Sequence, residues 1–363
     1  MDRRHPAGMT RAHDTGPQGP RLLCEGFAVL TADGLIFTVK GLVHPPERVI
    51  AYLRYLPDPE GGRERLGVRY RRVYHFEEQL EVLQNRFPHY LWDDEVFGVR
   101  LQSVPRRFVR EAFDPCLCLA DLRDRGPADL VEEHALGLSE LLRDVAGVPG
   151  EDLGVSGSVM VGTHTENSDI DLLVYGDASG RAVHRALQRL LDEPGRPVRR
   201  LDGQEMAALH AEHRPDTPLS FEDFSRLQNR KVNEGRYRGR EYFIRFVKRP
   251  SEVSERYGDR RFEALGQATI RAEVTDARDA IFTPCRYTVA NATVLDGPPA
   301  PDLREVVSFR GRFSDQVRVG EWAIARGSLE RVVVEGERVY HHLVVGGQAG
   351  DYVRPERVTS PVQ

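Results

Sequence analysis

Gly157-Ser158, ten intervening residues and then Asp169-Ile170-Asp171 form the part of this chain whose residue types and spacing could do chemistry. The stretch reads "GVSGSVMVGTHTENSDIDLLVYG" from residue 154 to 176. Its second half, an apolar run headed by the aspartates, predicts a strand over residues 170–175. Side chains alternate faces along a strand, so Asp169 and Asp171 would point one way while Ile170 and Leu172 turn into the core. Two carboxylates on one face are a ready ligand pair for a hard divalent cation, Mg²⁺ or Mn²⁺, which favours carboxylate oxygens together with substrate phosphates. Two such ions can activate an attacking oxygen and stabilise a leaving one, so the pair points to phosphoryl or nucleotidyl transfer.

Gly157-Ser158 supplies what the aspartates cannot. Glycine lets a ligand approach the backbone closely, the serine hydroxyl can bond a phosphate oxygen, and the free N–H groups of the turn that follows present partial positive charge to an anion. A triphosphate fits between turn and carboxylates.

These residues, with Gly162 and with Ser168 ahead of the first aspartate, resemble the motif of the DNA polymerase beta-like nucleotidyltransferase superfamily. The segments "GLIFTVKGLVHPPERVIAYLRYLPDPEG" and "YFIRFVK" are also similar to an archaeal-type family of uncharacterised nucleotidyltransferase-domain proteins. The resemblance implies an NTP substrate and a divalent metal, with Gly157, Ser158, Gly162 and Ser168 on the nucleotide and Asp169 and Asp171 on the metal. The superfamily usually carries a third carboxylate on the strand after the intervening helix. Here "EYFIRFV" has Arg245 inside the apolar run, and only Glu241, on the same face by strand periodicity, offers an acid. Glu241 is therefore the candidate third catalytic and metal residue. Arg245, a charge placed inside an apolar strand, is the candidate phosphate-binding arginine, with Glu241 or a carboxylate across the site as its pairing partner.

The elements that must hold this constellation are legible on both sides of it. Residues 26–56 read as strand, turn at Ala32-Asp33-Gly34, strand and a further strand or short helix, followed by a helix over 77–87 and a short basic helix in "VPRRFVREAF". Pro127 stands where a helix can begin, and Leu130, Val131, His134, Leu138, Leu141, Leu142 and Val145 keep one face apolar up to Gly147. A strand over 153–156, the turn, the aspartate strand, a helix containing Val183, Ala186, Leu187, Leu190 and Leu191, and the 241–247 strand then compose an α/β unit. Residues 264–357 alternate in short runs, with "EGER" as a hairpin turn, and predict a small barrel or sandwich. The expected class is α+β multidomain: a tail over 1–21, an α+β region over 22–126, a nucleotidyltransferase core over 127–250 and a β-rich domain over 264–357.

Composition sets the outer bounds. The 363 residues suffice for several domains, and no apolar run approaches the roughly 20 residues that span a bilayer. The basic, Pro- and Gly-rich opening lacks the apolar core of a secretory signal and reads as a disordered tail. Four cysteines in so long a chain suggest a reducing, cytoplasmic setting, and Cys116 and Cys118 in "PCLCL" read as buried thiols, because Cys24 and Cys285 are isolated and no second ligand pair stands nearby. The net charge of -5 excludes a general polycation. Residues 225–250 nevertheless hold nine Lys or Arg against two Glu, and "RERLGVRYRR" over 63–72 is a second basic run. Arg230, Lys231, Arg236, Arg238 and Arg240 are thus the candidate contacts to RNA or another nucleic acid serving as acceptor. His164 reads as a loop-surface residue within reach of a phosphate, and His341 and His342 as hairpin residues on alternate faces. The leading function is transfer of an NMP from an NTP to an acceptor hydroxyl with release of pyrophosphate. The alternatives are a non-catalytic nucleotide- or nucleic-acid-binding module and a protein-nucleotidylating enzyme.

Overall fold

The structure, a computed structural model, describes residues 22–215, 218–334 and 338–357. The tail expected over 1–21 and the turn expected in "EGER", apart from Arg338, lie outside the described residues. Among the described residues no helix is long and apolar enough to cross a membrane.

Three sheets organise the chain. The first is N-terminal and runs mostly antiparallel from the Ala28–Thr31 and Ile36–Val39 strands to Val109–Phe113. Its long Arg48–Pro57 strand resolves the choice left open in that region, since Tyr55 pairs with Ile36 on one edge and, on the other, Tyr55 pairs with Arg72 and Ile50 with Ser103. The basic helix expected in "VPRRFVREAF" is instead the end of the Val99–Pro105 strand, a single 3-10 turn at Arg106–Phe108 and the Val109–Phe113 strand. Pairing of Val29 with Ala112 and Ala28 with Phe113 overrides the local helix propensity there.

The second sheet holds the aspartates. Its order is Val198–Arg199, Glu234–Tyr237, Arg240–Val247, Ile170–Tyr175 and Leu153–Val155, with the central pair parallel and joined through the Asp177–Asp192 helix. Strand periodicity divides its residues between two cores. Ile170, Leu172 and Val174 pack with Leu138, Leu142 and Val183 of the two long helices, whereas Leu173, Tyr175 and Val247 are buried among Val29, Leu53 and Leu83 of the N-terminal region. The face that carries Asp169 and Asp171 is therefore the face on which the N-terminal sheet sits.

Two expected boundaries shift. The helix foreseen from Pro127 spans Leu130–Ala146, because Asp129 caps it by accepting from Val131 N at 2.9 Å and Glu132 N at 3.0 Å. The Pro115–Arg125 helix, not read from the sequence, lies in the span expected as the N-terminal region and buries Leu119 and Leu122 in the core of the second sheet.

The third sheet runs Arg260–Asp276, Cys285–Asp296, Leu303–Ser308, Arg338–Val344, Trp322–Val334 and Tyr352–Pro355, and an additional pairing of Arg260–Asp276 with Trp322–Val334 closes five of these strands into a ring of pairings. It docks on the second sheet through Phe282, which joins that core, and through Thr283 N donating to Phe246 O at 2.7 Å. Cys24, Cys118 and Cys285 are free thiols. Burial pushes Cys24, Cys118 and Cys285 up to about 12, so none is a reactive thiolate.

Candidate functional site

The Leu153–Val155 strand ends at Ser156, whose N–H donates to Asp171 O at 2.8 Å and ties the turn to the aspartate strand. Gly157 follows at φ 61, in the left-handed region, and opens the single-turn helix Gly157–Met160. A Cβ on Gly157 would stand 1.9 Å from Asp171 Oδ2, so glycine is required by both backbone and space. Ser158 is buried, and its carbonyl accepts from Thr163 N at 2.9 Å; Gly162 turns the chain just before Thr163. The Ser168 hydroxyl has partners within the protein: it accepts from Thr165 N at 3.0 Å and from an Arg63 guanidinium N–H at 3.4 Å, which fastens the loop between turn and aspartates.

Asp169 and Asp171 are half-buried and share one strand face. Burial above all, and then the neighbouring Asp169 charge, push the Asp171 carboxyl up to about 6, against the pull of Arg245, Arg54 and Arg72. A desolvated pair of like charges on one face is the donor set that a hard divalent cation neutralises, so the two residues fit such an ion.

Glu241 shares the face but is not drawn in. Tyr242 pairs with Ile170, which sets Glu241 beside Asp169 in register, yet its side chain is 59% exposed and ion-paired to Arg236 at 2.8 Å. Among the described residues no group of three or more His, Cys, Asp or Glu side chains could hold a metal ion. The position beside Asp171 is Phe243, and its ring packs on Gly311 of the third sheet's loop, where a Cβ would lie 2.5 Å from the ring. The expected three-carboxylate cluster is thus reduced to the aspartate pair, because the adjacent hairpin strand supplies an arginine to Glu241.

Arg245 finds a carboxylate that sequence reasoning did not name. It donates to Glu25 Oε1 at 2.9 Å and to Ser156 Oγ at 3.4 Å. Glu25 is fully buried and also accepts from Lys40 Nζ at 3.2 Å and Gly41 N at 2.7 Å. One carboxylate shared by two cations leaves net positive charge beside the aspartates. Arg54 and Arg72 were also missed as individuals. The second basic run signalled Arg72 only as part of a patch and does not include Arg54, and its other members separate: Arg63 donates to Thr163 O at 2.8 Å, Arg65 pairs with Glu111 at 3.1 Å, and Arg71 pairs with Asp58 at 3.3 Å.

The 225–250 segment is mostly internal bracing. Arg230 makes a two-pronged pair with Glu321 at 2.8 and 2.9 Å, and Lys231 donates to Arg312 O at 2.6 Å; both are buried and join the second sheet to the third. Arg236 bridges Glu205 and Glu241, and Arg240 donates to Glu166 O and Ser168 O, each at 2.7 Å. Arg238 alone of the five is exposed, 3.8 Å from Glu133. Local charge counting could not see these partners, most of which lie far away in sequence. His164 bonds the capping Asp129 at 2.8 Å, and His341 and His342 are buried and bonded to Pro301 O and Glu330.

With this geometry in place, the comparisons are specific. Residues 137–227 match the nucleotidyltransferase domain family, a stretch that contains Gly157, Ser158, Asp169 and Asp171 and stops before Glu241 and Arg245. An uncharacterised protein of Methanocaldococcus jannaschii is 28% identical over 325 residues, covering 87% of this chain and 93% of that protein. No solved structure matches. Both resemblances drawn from the sequence, to the superfamily and to an archaeal-type uncharacterised family, are borne out.

Proposed function

Starting from a chain that carries a nucleotidyltransferase domain at residues 137–227, we propose that it is a metal-dependent nucleotidyltransferase that moves an NMP from an NTP to an acceptor hydroxyl and releases pyrophosphate. The observation that carries this reading is the Asp171 carboxylate laid against Gly157, which sets the aspartate pair directly beside the turn that opens the Gly157–Met160 helix. Nucleotidyltransferase domains use divalent metals, and Asp169 and Asp171 would hold the ion, Mg²⁺ or Mn²⁺; bound there, it would supply charge neutralisation at the reacting phosphate. Gly157 and the backbone that follows it admit the phosphate chain, the Ser158 hydroxyl orients it, and Arg245, fixed by Glu25, holds positive charge beside it. We read the closed ring of strands as a small barrel that presents the acceptor. The nucleic-acid acceptor that residues 225–250 suggested now has only Arg238 of the five candidates exposed to support it.

A second reading, nucleotide binding without turnover, is favoured by one observation: the candidate third carboxylate, Glu241, is held by Arg236. Incubation of the full chain with each α-labelled NTP, Mg²⁺ and separate pools of RNA, DNA and protein separates the two. Label joined covalently to one pool supports transfer. NTP binding with no label in any pool supports the second reading.

A further inference from the structure

Beside Asp171 the second sheet is covered by a wall that the nucleotidyltransferase motif does not include. Leu173, Tyr175 and Val247 seal the second sheet against the N-terminal sheet. Arg245 stands beside Leu173 in register and Phe243 beside Asp171, so the face turns from apolar to charged there. Across it, the Arg48–Pro57 strand contributes Arg54, and the Val68–Arg72 strand, paired to it, contributes Arg72 at its end. Both arginines are half-buried, and both guanidiniums lie over the ring of exposed Tyr74, at 5.0 and 4.0 Å. Neither has a carboxylate partner among the described residues, and the buried Nε atoms of Arg72 and Arg245 have no hydrogen-bond partner. This sets them apart from Arg63, Arg65 and Arg71 of the basic run over 63–72, each of which is bonded within the protein.

Two guanidiniums stacked on one ring repel each other, and half-burying them with no ion-pair partner and only the Asp171 charge nearby is unfavourable for the free protein. Burial and the Arg72 charge hold Arg54 below its usual range, while Asp171 draws it upward. The missing partner is an anion with several oxygens, and planar arginine forks match phosphate oxygens in pairs. A condensed phosphate chain carries enough oxygens to serve all three arginines, whose charges all act on Asp171.

We propose that Arg54 and Arg72, presented on Tyr74, form with Arg245 a polyphosphate clamp that the N-terminal region supplies to the Asp171 face of the second sheet. The clamp rests on the reading of the Gly157-Ser158 turn and the aspartate pair as a nucleotide site, and it assigns the N-terminal sheet a direct part in binding the NTP phosphates. The nucleotide site is thus composite, and the 127–250 core is incomplete without residues 48–74.

The test is calorimetric titration of the full chain with inorganic tripolyphosphate, orthophosphate and AMP, each with Mg²⁺, for the wild type, Arg54→Met, Arg72→Met, the double variant and Arg278→Met as an exposed surface control. The expected result is tighter binding of tripolyphosphate than of orthophosphate, weakened about tenfold by each single change and about a hundredfold by both, with Arg278→Met unchanged. A double variant that unfolds cooperatively and binds tripolyphosphate within about twofold of wild type overturns the clamp, as does a wild type that does not bind it. If tripolyphosphate binding is lost in the double variant but no NTP label reaches any acceptor in wild type, the clamp stands and the transferase reading falls. If wild type transfers label and the double variant binds tripolyphosphate as wild type does, the clamp falls and the transferase reading stands.

Discussion

Asp171 Oδ2 occupies the space that a Cβ on Gly157 would need: the two would be 1.9 Å apart. The turn and the Asp171 carboxylate are therefore one packed unit, and a change at one position is felt at the other. Gly157→Ala combines this clash with a φ of 61, a conformation that costs a non-glycine residue about 1–3 kcal/mol. Urea unfolding should show a loss of that order, and Mg²⁺-dependent protection against unfolding should disappear with it. An alanine variant that keeps both would separate Gly157 from the site.

The Asp171 carboxyl, raised to about 6 from its ordinary 3.8, penalises the folded protein once ionised. A raised carboxyl means that the folded state binds the proton more tightly, so stability from this group falls as pH rises from about 4 to 6 and is lowest above that window. Without divalent metal, Asp171→Asn should be more stable than wild type at pH 7 by about 3 kcal/mol, and by about half as much at pH 5. Chemical denaturation at the two pH values checks this; a variant less stable than wild type at pH 7 would mean that Arg54, Arg72 and Arg245 already compensate the charge.

Glu241 faces Arg236 rather than a metal cluster. Glu241→Gln should keep label transfer within about fivefold of wild type, since an exposed ion pair is worth about 1 kcal/mol or less. A loss of about a hundredfold, the scale of removing a charge-stabilising group, would instead return Glu241 to the catalytic set.

Arg230 was expected to meet nucleic acid and instead pairs with Glu321 across the second and third sheets. Its side chain is 3% exposed, so Arg230→Met strands Glu321 without its partner and should cost about 3 kcal/mol in urea unfolding. RNA affinity, where measurable, should not change; a weakened RNA complex with unaltered stability would reverse the assignment.

What could be read from the sequence followed local periodicity and spacing. The Ile170–Tyr175 strand, the same-face placement of Asp169 and Asp171 and the Gly157 turn all depend on neighbours within a few residues, and the fold keeps them. Partner identity depends on contacts across the chain. Arg245 finds Glu25, Arg230 finds Glu321 and Lys231 finds Arg312, and no local pattern announces such pairs. The same holds for "VPRRFVREAF", where helix propensity yields to pairing with the Ala28–Thr31 strand. Arg54 and Arg72 reach the site because the N-terminal sheet covers one face of the second, an arrangement written in the burial of Leu173 and Tyr175 but not in any motif.

The most direct measurement is pyrophosphate released from NTP by the full chain with Mg²⁺ and an acceptor pool, compared with Asp169→Asn and Asp171→Asn. These side chains are half-buried and belong to no hydrophobic core, so both variants should fold. The expected result is release in wild type that equals the label transferred, reduced about a hundredfold or more in each variant. Equal release by wild type and both variants, or none from wild type with any NTP and acceptor pool, would contradict nucleotidyl transfer at this site.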